Sequence, residues 1–139
     1  MEDPYQLSRF VEAQEHSYDD ALAELKDGNK RSHWMWFVFP QIQGLGHSSM
    51  AQRYAIGTLD EARAYLQHPV LGPRLLECTD ALLGDGTHTA VGIFGETDAM
   101  KLRSSMTLFA HADPAENRFA RVLDRYYSGA EDAETVRRL

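Results

Sequence analysis

Residues 30–50 read KRSHWMWFVFPQIQGLGHSSM, and the reading of this run decides the fold. It holds both tryptophans, Phe37, Phe39, His33 and His47. Six apolar side chains follow one another from Trp34 to Phe39. Each large one gains about 1.5–3 kcal/mol on full burial, so the rest of the chain is expected to close over this segment as an interior pillar. Lys30, Arg31, Ser32 and His33 precede it; Gln41, Gln43, Gly44, Gly46 and His47 follow. A fold centre bordered by polar groups and glycines suits a pocket. The pattern leaves the element type open. The length and aromatic content of residues 34–39 fit a buried strand, whereas Ser32 before them and Pro40 after them fit a short helix equally well. Pro40 ends either element, because it lacks an N–H and restrains Phe39.

Outward from this run, punctuation is frequent. Ser8 is a candidate start for a turn carrying Phe10 and Val11. Ser17 reads as an N-cap followed by Asp19 and Asp20 at the positive end of a helix, which Gly28 stops. Residues 41–49 read as a loop, with Ser48 or Ser49 capping a helix beyond it. Thr58 and Glu61 have the spacing of a capping box. Pro69 ends that helix, and Leu71, Leu75, Cys78 and Leu82 repeat at helical spacing. Residues 89–94 fit a strand or a helical turn. Thr97 and Asp98 open a helix bearing Leu102, Met106 and Phe109, and Asp113-Pro114 reads as the start of the next. The sum is an all-α fold, a single domain of seven to nine short helices with little or no sheet. Residues 1–6 and 130–139 are read as tails that fray or dock weakly.

The 139 residues suit one domain of about 100–150 residues. Net charge is −7, which argues against general nucleic-acid binding, since that needs a basic face. No apolar stretch approaches the roughly 20 residues that span a bilayer. The acidic MEDPY start lacks the apolar core of a secretory signal, so the expectation is a soluble, cytoplasmic protein. Cys78 is the only cysteine and has no disulfide partner in the chain. The six histidines show no metal-binding spacing, so no metal or cofactor is expected. Nothing in the pattern dictates an oligomeric state.

Four stretches resemble the DUF1810 family, a domain of unknown function also labelled calpastatin. They are SHWMWFVFPQIQGLG (32–46), DEARAYLQHPVLGPRL (60–75), IFGETDAMKLRSSMTLF (93–109) and RVLDRYYSG (121–129). The resemblance runs from about Leu7 to Leu139 and departs at Val38, where isoleucine is expected. It implies a small, mainly α-helical domain and brings no reaction, substrate or catalytic residue with it. The calpastatin label implies protease inhibition, but calpastatin's inhibitory segments are disordered and this composition is globular.

Candidate site residues come from the polar members of these stretches. His33 fits a general acid/base or ligand donor on an aromatic wall, or a histidine paired with one main-chain group. Trp34 and Trp36 could stack on a ring, but core packing is expected for at least one of them, and Trp36 is the candidate for the site. Ser32, Gln41, Gly44 and Gly46 border the pillar; the glycine spacing is not that of a dinucleotide site, and a plain turn accounts for it. Lys101, Ser104, Ser105 and Thr107 would share a helix and could hold a phosphate or carboxylate. Serines inside a helix also serve close packing and back-bonding to the i−4 carbonyl. Cys78 reads as a core thiol. Three functions follow. One is a small-molecule site for an anionic, nucleotide-like ligand, with or without catalysis. Another is a non-enzymatic protein-interaction module, and the third a domain whose motifs serve only its fold.

Overall fold

In the computed structural model, which describes residues 3–139, ten helices form among the described residues. They are α1 (Ser8–Gln14), α2 (Tyr18–Lys26), α3 (Met35–Val38), α4 (Ser49–Arg53), α5 (Leu59–Gln67), α6 (Leu71–Gly84), α7 (Ala90–Phe94), α8 (Glu96–Ala112), α9 (Arg118–Tyr127) and α10 (Ala133–Arg137). The all-α class holds, with one helix more than the upper expectation because several are single turns. The β-structure among the described residues is one isolated parallel bridge, Ile42 to Ile56.

Within residues 34–39, Met35–Val38 form the single helical turn α3, with Trp34 and Phe39 flanking it. The Val38 and Phe39 N–H groups reach back to the Trp34 and Met35 carbonyls at 3.1 Å each, and Pro40 stops the ladder after one turn. Trp34, Met35, Phe37, Val38 and Phe39 are buried, while Trp36 is half-buried. The segment is therefore the interior pillar that its composition demanded. Trp34 packs against Phe39 and Phe94. Phe37 meets Tyr54, from which contacts pass through Phe10, Tyr65 and Phe109 to Phe119. This chain of rings joins α1, α3, α5, α8 and α9. Buried Gln14 pins it, donating to the Phe37 carbonyl at 2.7 Å and lying 3.1 Å from the Tyr65 hydroxyl.

Two of the caps the sequence announces form: Ser48 accepts from the Ala51 N–H and Thr58 from that of Glu61. Thr89, which the sequence did not mark, accepts from the Gly92 N–H, and residues 90–94 are helical. The capping box is displaced: Glu61 reaches the Gly57 N–H at 3.0 Å instead of that of Thr58. Ser17 and Ser8 make no capping bond. Asp3 takes over at α1, accepting from the Leu7 and Ser8 N–H groups. Asp113-Pro114 does not start α9. Asp113 closes α8, its carbonyl accepts from Glu116, and the resulting turn delays α9 to Arg118. Gly95, at φ +81, lets α8 begin at Glu96, just before the expected Thr97-Asp98 start.

The 17-residue α8 is wrapped by α5, α7, α9 and α10. Six consecutive residues, Ser104 to Phe109, are buried, so its small hydroxyl side chains are what let neighbours approach on every side. α6 packs on α2, α5 and α9 and carries Cys78, whose thiol is fully enclosed and pushed by burial up to about 12. Residues 130–139, expected as a tail, contain α10, with Thr135 fully buried. Residues 1–2 of the other expected tail lie outside the described residues.

Gly72 sits where α5 hands over to α6. A Cβ there would lie 2.1 Å from the Leu66 carbonyl oxygen, a main-chain atom that cannot step aside. Replacing Gly72 with Ala is expected to destabilise the chain by roughly 1–3 kcal/mol, as overpacking does. Urea unfolding checks it through a lower midpoint at unchanged slope; an unshifted midpoint would contradict the close approach.

Candidate functional site

The chain before the pillar is held by one carboxylate. Glu24, on α2, is buried. Its Oε1 accepts from the Arg31 N–H at 2.7 Å, the Ser32 N–H at 3.0 Å and Trp34 Nε1 at 2.9 Å, and its Oε2 accepts from Ser32 Oγ at 2.5 Å. Burial alone would raise its pKa, but these donors outweigh burial and bring it to about 2. Ser32 is consequently spent on structure. His33 is exposed, forms no hydrogen bond among the described residues and lines neither hollow described below.

The two lysine-bearing stretches meet at Asp98, on α8. Lys30 lies 2.9 Å from one carboxylate oxygen and Lys101 3.6 Å from the other. Lys30 also donates to the Ser32 carbonyl at 2.6 Å. Its ammonium sits 5.1 Å above the Trp34 ring, and that of Lys101 5.2 Å from the Trp36 ring. Each tryptophan thus carries a cation on its face, an arrangement worth about 0.5–2 kcal/mol depending on exposure. Two ammonium groups share a single carboxylate, leaving one positive charge without its own counterion. Glu24 is not within ion-pair distance of either lysine.

Beside Lys101 lies a cleft of about 340 Å³ between the 41–46 loop, α8 and the C-terminal segment. Its walls include Gln41, Leu45, Gly46, Met100, Lys101 and Ser104. Arg103, Asp132 and Glu134 also border it, but each is engaged within the chain. Arg103 donates to the carbonyls of Ala130 and Glu131. Asp132 accepts from Ser104 Oγ and from the N–H and hydroxyl of Thr135. Glu134 pairs with Arg137 and Arg138. Two positive charges therefore stand on the wall: Lys101, which shares Asp98 with Lys30, and Arg103, which has no carboxylate partner among the described residues. The Gln41 carboxamide, half-buried, makes no hydrogen bond among the described residues.

Four of the expected residues, Gln41, Gly46, Lys101 and Ser104, therefore line one cleft, with Trp36 beneath the lysine. Gly44 faces the adjoining hollow. Ser105 and Thr107 are buried in the helix packing. Thr107 donates to the Arg103 carbonyl and accepts from the Asp132 N–H, whereas Ser105 Oγ is buried without a partner among the described residues. Sequence reasoning missed Leu45, Met100 and the role of Lys30. The Asp98–Lys101 spacing of three on a helix was the available signal for the shared carboxylate. No group of three His, Cys, Asp or Glu residues among the described residues could hold a metal ion. Among the described residues no helix is long and apolar enough to cross a membrane.

Comparison with known proteins agrees with this architecture. A family model described as a protein of unknown function, DUF1810, matches residues 4–139. The crystal structure of the conserved hypothetical protein Rv1873 from Mycobacterium tuberculosis is similar, at 52% sequence identity. The match covers 99% of this chain and 98% of that one, with a TM-score of 0.97. No curated protein matches.

The Glu24 cradle sets an acid limit on stability. Because folding lowers this pKa, its contribution is fully present above about 4.5 and is lost as pH falls towards about 2. That difference corresponds to roughly 3 kcal/mol. Glu24→Gln keeps an acceptor for the three N–H donors and removes the charge. It is expected to flatten the stability curve between pH 4.5 and 2, whereas Glu24→Ala destabilises at every pH. Chemical unfolding across that range checks both; an unchanged pH slope in Glu24→Gln would contradict the cradle.

Proposed function

The chain belongs to the DUF1810 family, and from that premise we propose that it binds a small organic anion in the cleft between the 41–46 loop and α8. Lys101 supplies the charge, Gln41 a directional hydrogen bond, and Leu45 with Met100 the apolar wall. The observation that carries this reading is the pair Lys30 and Lys101 sharing Asp98 beside an open cleft. The net charge of −7 does not oppose it. Distant carboxylates are screened over a Debye length of about 8 Å at physiological salt. An ammonium about 4 Å from an anion contributes roughly 1–4 kcal/mol between bulk water and a protein surface. No reaction is assigned. His33, the candidate general acid/base, is not among the residues that line the cleft.

A second reading rests on Met100 and Val91, which are 71% and 53% exposed and border a shallow apolar groove with Ala99 and Tyr127. Such a surface fits an interaction module. A thermal-shift screen of organic phosphates and carboxylates separates the two. The ligand reading expects stabilisation following RT ln(1 + [L]/Kd), about 2.7 kcal/mol at one hundred times Kd, and its loss in Lys101→Ala. The unliganded stability of Lys101→Ala should change by less than about 1 kcal/mol, because the Lys101–Asp98 pair is partly exposed. If no compound shifts the melting temperature, the ligand reading fails.

A further inference from the structure

A second hollow of about 430 Å³ lies across the 41–46 loop from the lysine cleft and shares Gln41 and Gly46 with it. Its polar lining comes from Gln41, Gln43, His47 and Gln52, with no Asp, Glu, Lys or Arg on its walls. The fold aims these side chains. The Gln43 N–H donates to the Ile56 carbonyl and the Ile56 N–H to the Gln41 carbonyl, both at 2.8 Å, holding residues 41–43 extended. In an extended segment alternate side chains share a face. Ile42 is turned into the core at 2% exposure, so Gln41 and Gln43 face outward together. Gln52 Nε2 donates to the His47 carbonyl at 2.9 Å, which orients its amide and leaves its oxygen free to accept. The side chains of Gln41, Gln43 and His47 have no partner among the described residues.

We propose that the ligand is a phosphorylated or carboxylated polyhydroxy compound, sugar phosphates being the type. Its anionic group sits at Lys101 and its hydroxyl-bearing body crosses Gln41 into the carboxamide-lined hollow. The proposal rests on the anion reading above and names the rest of the molecule. A hydroxyl both donates and accepts, and a carboxamide offers two donors and two acceptors, so three carboxamides and an imidazole match several hydroxyls without any buried charge. An apolar body would leave these groups desolvated and unpaired. A second charged group would find no counterion on these walls. Arg138 approaches the loop at Gly44, but it is paired with Glu134 at 2.8 Å. The volume falls within the roughly 300–1,000 Å³ of ligand pockets.

Calorimetric titration with ribose 5-phosphate, ribose and inorganic phosphate tests this on the full chain. Ribose 5-phosphate is expected to bind at least tenfold more tightly than either inorganic phosphate or ribose. In the double variant Gln43→Ala, Gln52→Ala, its affinity is expected to fall to that of phosphate while phosphate binding is unchanged. In Lys101→Ala, both phosphate-bearing probes are expected to weaken. Equal affinity for phosphate and ribose 5-phosphate in the unmodified chain, with both depending on Lys101, would overturn the second compartment and leave the anion reading standing. No binding of either phosphate-bearing probe would overturn both. Circular-dichroism melting of each variant separates lost binding from lost folding.

Discussion

The structure depends on a carboxylate that cannot be moved. Glu24 gathers two main-chain N–H groups, a hydroxyl and the indole N–H of Trp34, and so fixes where the chain leaves α2 and how the largest core ring is presented. Buried carboxylates cost several kcal/mol to desolvate unless donors surround them, and here donors do. The direction of Trp34 then settles the contacts with Phe39 and Phe94, and Lys30 closes over the ring from the solvent side. Trp36, two residues on, is left half-buried beneath Lys101. One acid thus orders the core and exposes the edge on which the cleft is built.

α8 imposes the complementary constraint. Where α5, α7, α9 and α10 press on its middle, α8 has no room for long polar side chains, which accounts for buried Ser105 and Thr107, while Ser104 also borders the cleft. Its hydroxyls have a second use. Ser104 and Thr107 meet Asp132 on opposite polarities, one donating to the carboxylate and the other accepting from the N–H. Arg103 takes the two preceding carbonyls, and His111 Nε2 lies 2.6 Å from Glu131. The C-terminal segment is therefore bound by polar groups much as a peptide would be, and it completes one side of the cleft.

Much of the fold was legible because its signals are local. The apolar run from Trp34 to Phe39 had to be buried, and Thr58 and Ser48 marked helix starts that the chain uses. What failed was also local, overruled from a distance. Asp113-Pro114 looks like a helix start, but the chain needs a turn there to reverse from α8 to α9. Residues 130–139 read as a tail because their anchors, Arg103 to His111, lie some twenty or more residues away. Gly72 gave no warning, since the atom that forbids a side chain there belongs to the turn of another helix. The site was half legible. Lys101, Gln41 and Gly46 do share a cleft, yet His33 beside the tryptophans is not among the residues that line it. Adjacency in sequence says little about which side of a single helical turn a residue occupies.

Cys78 carries a practical consequence. It is the sole cysteine, it is enclosed by α6 and its neighbours, and its thiol is held up to about 12. At pH 8 the reactive thiolate is then on the order of one part in ten thousand, and reagent has no route to it while the core is shut. Alkylation of this one sulfur accordingly counts core openings. The native molecule carries its own stopwatch for unfolding, readable by mass without any added probe.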